Sequence, residues 1–343
     1  MNITSSRLGF SDAMSSTALS ILLVLITHAG VVGAAEGERY LGTIHRHTAA
    51  ADEVIPRKAQ MEILADGFEF SEGPVWMPHD NRLLFSDIPR NTIFQWQEGK
   101  GLSIYLRPSG YVGVEPRGGE PGTNGLLRDL ENRLIMLEHG DRRVTRLDDP
   151  RGAIKSVLAE RFEGKRLNSP NDGVMRSNGD LYFTDPPYGL EGGMDDPEKE
   201  LDFQGVYLLT AAGKLHLMTR EMSRPNGIGL SPDERTLYVA NSDPERALWM
   251  AFDVPTTVPY PRAECFKTSL RRFNRAKKGS RMEWPLTPMD GSTRLVQAAC
   301  SSSHPTEHIL LRLTHNMRRA TAPLAATAHN CILRLTSICC VFR

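Results

Sequence analysis

Four oxygen-bearing side chains recur at nearly even spacing in this chain. They are Glu72, Asn124, Asn171 and Asn226. One is a carboxylate and three are neutral amides, with Asp172 beside the third. The set holds no thiolate and no imidazole. Hard oxygen donors of this kind suit Ca²⁺ or Mg²⁺ rather than a structural zinc. A cation held by few protein ligands keeps positions open for water and substrate, where it can polarise a carbonyl or acidify a water. Serine chemistry has less support. Ser169 sits in "SPNDG" with no G-x-S-x-G elbow and no Ser-His-Asp spacing around it.

The elements that would position these residues repeat with them. "SEGPVWMPHDNRLLFSDI" begins at Ser71, "GTNGLLRDLENRLIMLEHG" at Gly122, "SPNDGVMRSNGDLYFTDPP" at Ser169 and "RPNGIGLSPDERTLYVANS" at Arg224. Each has a polar residue beside Gly or Asp, a turn such as "SNGD" or "SPDER", and an apolar run: "LLFSD", "LIML", "LYFTD", "LYVAN". Further strand candidates, "TIFQW", "RVTRL", "GVYLL" and "ALWMAFDV", lie between them. A single Asn-Gly or Asn-Asp would be read as a turn former. Four in register, each with the same short strands and turns and repeating at propeller-blade length, are the signature of blades. The innermost strand of each blade lines a common axis, so residues far apart in sequence meet there.

Composition divides the chain. Its 343 residues carry no net charge, but Pro255–Arg343 holds 14 Lys+Arg against 4 Asp+Glu. The first 254 residues therefore carry −10, which argues for no nucleic-acid partner. All five cysteines and only two of the 29 glycines lie in the tail, so the fold of the body cannot depend on disulfides. At the N-terminus, Arg7 precedes the apolar run Ala18–Ile26, and Gly33 and Ala35 offer a small-residue cleavage site. Residues 1–35 are expected to be a signal peptide, which places the protein outside the cytoplasm, secreted or periplasmic. The apolar run is too short for a stable membrane span. Residues 36–61 form an N-terminal extension, 62–254 the propeller region and 255–343 the divergent tail.

The motifs "SEGPVW", "LLFSDIPRNTIFQW", "GGEPGTNGL", "EHGDRRV", "GKRLNSPND", "GDLYFTDPPYGLEGGMDDP" and "SRPNGIGLSPDERTLYVANSDPERALWM" closely resemble the SMP-30/gluconolactonase/LRE-like family, nearest to its exported gluconolactonases. The resemblance covers about Glu62 to Val254. It implies an all-β, six-bladed propeller with a divalent cation in its channel, hydrolysing a small-molecule lactone by attack of water on a cation-polarised carbonyl. Ca²⁺ is the expected ion, with Mg²⁺ or Zn²⁺ as alternatives. Glu72, Asn171 and Asn226 match the metal-binding positions. Asn171 is also a substrate-contact candidate, and Asn124 and His139 are candidates for the pocket wall. His139 reads equally as a structural histidine. Arg142 and Arg143 read as blade-bracing rather than substrate-steering, and Asp185–Glu200 as either a loop over the channel mouth or an ordinary connection.

The resemblance ends before the family's next landmark, an Asp in a "PDG" turn that completes the metal site and supplies a general base. It should fall near positions 275–285, where the chain reads "FNRAKKGSRMEWPL". Asp290 in "PMDGSTRL" is a poor substitute, since it lies farther past Asn226 than any repeat in the body is long and no strand pattern follows it. Glu283 is the other nearby carboxylate. The abrupt loss of pattern is what a shifted reading frame, a retained intron or a mistaken gene model produces; a genuine basic extension is the other reading. Four recognisable blades do not close a six-bladed ring, so the Glu72 blade and the Leu237–Asn241 blade are each expected to present an uncovered side. Two functions follow: a metal-dependent lactone hydrolase, or a catalytically inactive propeller fragment that at most binds a ligand or protein.

Overall fold

Strand β1 (Arg39–Tyr40) pairs with the long β2 (Gln60–Phe68). Four antiparallel sheets follow in chain order, each a meander in which every strand pairs with the next. The first is β3 (Ser71–Met77), β4 (Arg82–Asp87), β5 (Thr92–Gln97) and β6 (Gly101–Leu106). The second is β7 (Thr123–Arg128), β8 (Leu134–Glu138), β9 (Arg143–Leu147) and β10 (Lys155–Ala159). After the short hairpin of β11 (Arg161–Phe162) and β12 (Lys165–Arg166) comes the third, β13 (Gly173–Met175), β14 (Leu181–Asp185), β15 (Gly205–Leu209) and β16 (Leu215–Thr219). The fourth has three strands among the described residues, β17 (Pro225–Leu230), β18 (Thr236–Asn241) and β19 (Leu248–Asp253). The first strands β3, β7, β13 and β17 touch one another from blade to blade, so they surround the common axis. The architecture is an all-β propeller, with four blades among the described residues.

This computed structural model describes residues 39–40, 57–149, 154–254, 308–314, 332–335 and 338–342. The expected signal segment, most of the extension, Asp290, Glu283 and most of the tail lie outside the described residues. Among the described residues no helix is long and apolar enough to cross a membrane.

The second strands read as continuous apolar runs because both of their faces are buried. On β4, Leu84 packs with Leu126, Leu134 and Met136 of the second blade, while Leu83 and Phe85 face the other way, onto Ala65 and Phe68. On β8, Ile135 and Leu137 turn to Leu181 and Phe183 of the third blade. On β14, Tyr182 reaches the core that holds Leu237, Val239 and Phe252 of the fourth. Each of these large apolar side chains stabilises by about 1.5–3 kcal/mol on burial. The stack of blades is thus one sheet-on-sheet series. The last blade breaks the pattern: Leu237 and Val239 are buried, but Tyr238 and Ala240 are only half-buried, an alternation that marks one covered face and one less covered.

The Glu72 blade departs from expectation. Its flank is covered by β2, whose Ala65 and Phe68 sit on Leu83 and Phe85, with the Phe68 and Phe85 rings 4.9 Å apart edge to face. The run "QMEILADGF" alternates too weakly to announce a strand, yet it immediately precedes β3 and buries Met61, Ala65 and Phe68. The tail also supplies backbone to this sheet. Strands β20 (His308–Thr314), β21 (Ile332–Leu335) and β22 (Ile338–Phe342) extend it in the order β1-β2-β20-β22-β21. The β20–β22 pair is parallel, so this sheet is not the antiparallel meander of the four blades.

Candidate metal and substrate site

Glycine brings the site residues together. Gly73, directly after Glu72, has φ +58°, and a Cβ there would lie 2.1 Å from the Asn124 carbonyl oxygen and 2.9 Å from Leu126 N. Gly125, directly after Asn124, donates its N–H to Asn171 O at 2.8 Å, and a Cβ there would lie 2.6 Å from that oxygen. Hydroxyls on the second strands reinforce the same seams. Ser86 Oγ donates to Asn124 O at 2.9 Å and Thr184 Oγ1 to Asn226 O at 2.8 Å. The carbonyls of Asn124, Asn171 and Asn226 are each held by the blade before, which sets Glu72, Asn124, Asn171 and Asn226 on successive blades around the axis.

A second repeated residue braces the loops that enter the site. Asp87 ends β4 and accepts from Phe70 N at 3.0 Å and Glu69 N at 3.2 Å. Asp185 ends β14 and accepts from Asn168 N and Ser169 N, both at 2.8 Å. Asn241 ends β18, and its Oδ1 accepts from Arg224 N at 2.7 Å. In the second blade Glu138 takes the position but is held by Thr145, Lys155 and Arg143 at 2.7, 2.8 and 2.6 Å. Burial pushes the Asp185 carboxyl up to about 7, against the pull of its two N–H donors and of the Arg142 and Lys199 cations. These braces are legible as the last residues of "FSD", "MLE", "FTD" and "VAN", one per repeat, but the local pattern alone gives them no role.

The polar wall of the site centres on Asn171 and His139, both buried. The Asn171 side-chain amide lies 3.2 Å from His139 Nε2, and His139 Nδ1 lies 3.1 Å from Glu120 Oε2 without hydrogen-bond alignment. Glu120, in "GGEPGTNGL", carries no sequence signal, since nothing in its local spacing marks it. Two buried amide oxygens, Asn124 Oδ1 and Asn171 Oδ1, have no hydrogen-bond partner among the described residues. An orphaned buried acceptor costs about 1–3 kcal/mol unless something satisfies it. Two such oxygens on adjoining blades, with the Glu72 carboxylate on the blade before them, fit a hard cation. Among the described residues no three His, Cys, Asp or Glu side chains gather as a metal cluster, so any ion here would depend on amide oxygens. Asn226 is half-buried on β17, held through its backbone oxygen.

The neighbouring candidates have other work. Asp172 turns to backbone: its Oδ1 accepts from Gly173 N at 2.8 Å, and its Oδ2 lies 3.4 Å from Ile228 N of the next blade. Ser169 Oγ donates to Pro186 O at 2.5 Å and accepts from Gly189 N at 2.8 Å, which leaves it a loop clamp. Arg142 is buried at φ +59° and donates to Leu167 O, Asn168 O and Glu198 O. Arg143 pairs with Glu138 and Asp141. Both arginines therefore brace. The loop Asp185–Glu200 packs on the wall, since a Cβ on Gly189 would lie 2.5 Å from His139 Cβ. Arg117 ties that loop down, donating to Gly140 O and Gly189 O from above the Tyr111 ring.

The chain is 35% identical over 249 residues to the gluconolactonase of Zymomonas mobilis subsp. mobilis, covering 70% of each chain. A solved gluconolactonase from Xanthomonas campestris superposes with a TM-score of 0.55 at 33% identity, covering 65% of this chain and 72% of that one. The family model described as SMP-30/Gluconolactonase/LRE-like region matches residues 70–284, a span that contains all four blades and runs past Val254 into the tail. By sequence, blade geometry and this match, the chain belongs to the SMP-30/gluconolactonase/LRE-like family.

Proposed function

We propose that this protein hydrolyses a sugar lactone at the axis of its propeller, with a divalent cation bound there and Ca²⁺ as the favoured ion. The observation that carries the reading is the buried Asn171 amide oxygen, which has no hydrogen-bond partner among the described residues, with a second such oxygen, Asn124 Oδ1, on the adjoining blade. The similarity to gluconolactonases supports the substrate class. When bound, a divalent cation supplies electrophilic polarisation of an ester carbonyl and acidification of water. Glu72 would provide the negative charge that holds it, and Asn171 and Asn226 neutral oxygens. Asn124 and His139 line the wall against which the sugar ring would rest. In the overall reaction water adds to the lactone carbonyl carbon, the ring C–O bond breaks, the ring oxygen takes a proton, and an open-chain hydroxy acid is released. Residues 1–35 would direct export.

The test is proton release from glucono-δ-lactone by the purified full-length chain, before and after EDTA and after Ca²⁺ is restored. Activity abolished by chelation and recovered on adding Ca²⁺ supports the reading. Metal-independent turnover would refute it. The second reading, a propeller that binds but does not turn over, is favoured by one observation in the sequence: no "PDG" turn stands one repeat beyond Asn226, near positions 275–285. A folded chain that binds Ca²⁺ yet hydrolyses no lactone would establish that alternative.

A further inference from the structure

Resting on the reading of Asn171 as a cation ligand, we infer that His139 is a positioning residue: it fixes which end of the Asn171 amide faces the site. An asparagine amide can turn over, exchanging an oxygen that ligates a cation for an NH₂ that repels one. Something must therefore hold Asn171 in the productive orientation. The chemistry of its neighbours decides the matter. Glu120 Oε2 lies 3.1 Å from His139 Nδ1, and a carboxylate accepts but does not donate. That contact is close but not aligned as a hydrogen bond, so it does not by itself place the ring's proton. The Asn171 contact does place it: the side-chain nitrogen lies 3.2 Å from Nε2, and an amide NH₂ can only donate, so Nε2 is the acceptor and a ring proton belongs on Nδ1. Oδ1 is left at the other end of the amide, buried and without a partner among the described residues.

The ring has little freedom to do otherwise. His139 is fully buried, its N–H donates to Gly122 O at 3.1 Å, and its carbonyl accepts from Arg142 N at 3.2 Å. Gly189 packs on its Cβ from the loop side. Glu120 is joined to the same framework through nearby Gly122, whose own N–H donates to Ile88 O at 3.0 Å. The sequence thus spends a buried histidine, an acidic loop residue and two close-packed glycines on the orientation of one amide. Groups that orient a metal ligand in this way typically change metal affinity about 10–100-fold when removed.

The experiment combines two readouts on the full-length protein. The first is the His139 tautomer, read by ¹⁵N-edited NMR of metal-free protein labelled at histidine and assigned by loss of its signals in His139→Gln. The inference expects a protonated Nδ1 and a bare Nε2. A protonated Nε2 would overturn it, whether or not the protein binds metal. The second is Ca²⁺ affinity by calorimetry, with thermal unfolding followed in parallel. His139→Leu should weaken Ca²⁺ binding about 10–100-fold. His139→Gln retains a carbonyl acceptor and should recover most of the loss. The double variant His139→Leu, Asn171→Asp should also recover it, because a carboxylate presents an oxygen in either orientation. That rescue separates positioning from simple damage to the fold. If Glu72→Gln loses Ca²⁺ while His139→Leu binds as the wild type does, this inference fails and the cation site stands. If wild type and Glu72→Gln give the same Ca²⁺ isotherm, the cation site itself fails, and the tautomer alone then decides the role of His139.

Discussion

Gly73→Ala tests the blade seam on which the whole site depends. The backbone at Gly73 is left-handed, with φ +58°, a conformation that costs a residue with a Cβ about 1–2 kcal/mol. The new methyl would lie 2.1 Å from the Asn124 carbonyl oxygen, and ordinary contact needs more than an ångström of added separation. What stands in the way is backbone, bonded at that same oxygen to Ser86 Oγ at 2.9 Å, so no flexible side chain can swing aside. Overpacking of this kind costs about 1–3 kcal/mol. Together the two effects predict a loss of about 2–5 kcal/mol, or about 5–15 °C in melting temperature for a domain of this size. Gly67→Ala is the internal control. Its φ is +83°, but a Cβ there meets nothing within 4 Å, so it carries the backbone penalty without the collision. Urea unfolding followed by the fluorescence of Trp76 and Trp96 compares the two. Should Gly73→Ala be no more destabilising than Gly67→Ala, the close seam between Glu72 and Asn124 does not exist. The same substitution should also weaken Ca²⁺ binding, because it displaces Glu72 from the neighbouring amide.

Glu72→Gln keeps the size of the side chain but removes the one carboxylate of the expected ligand set; calorimetry should show a large loss of Ca²⁺ affinity with little change in melting temperature, and unchanged binding would remove Glu72 from the site. Asp185 predicts a pH dependence of stability. Its folded value, raised to about 7, exceeds its unfolded value, so the stability it contributes is fully present below about pH 4 and is lost as pH rises through 7. Urea midpoints at pH 5 and pH 8 should fall in that order for wild type, and less steeply for Asp185→Asn, a residue that already fills the equivalent brace at Asn241; equal slopes would refute the assignment. Finally, replacing Pro255–Arg343 with two ordinary family blades bearing a "PDG" turn should cover the half-exposed face of Tyr238 and Ala240, raise soluble yield and add a base worth about 10²–10⁴ in rate. A native chain that turns over lactone as fast as the repaired one would show that the tail already supplies both.

Much of this protein was written in local pattern. The even repeat, the apolar second strands and the polar residue at each repeat establish the propeller and its four blades without any coordinate. The oxygen-only character of Glu72, Asn124, Asn171 and Asn226 follows from residue type alone, because propeller topology carries equivalent repeat positions to one axis. What sequence cannot express is which atom meets which. The double burial of "LLF", "LIM" and "LYF" is a property of stacked sheets, and only the stack shows that Leu83 and Leu84 belong to different cores. Asp172 and Ser169 have the same chemistry as site residues, and only their backbone partners assign them to bracing. The strand Gln60–Phe68 covers a flank that pattern left bare, since one of its pairing partners, His308–Thr314, lies far along the chain. Glu120 and His139 are well separated in sequence and unremarkable in type; they become a unit with Asn171 because three loops from two blades converge on one buried ring. Periodicity records what each repeat does to its own face, whereas the orientation of a single amide depends on contacts between repeats, and those exist only once the chain has folded.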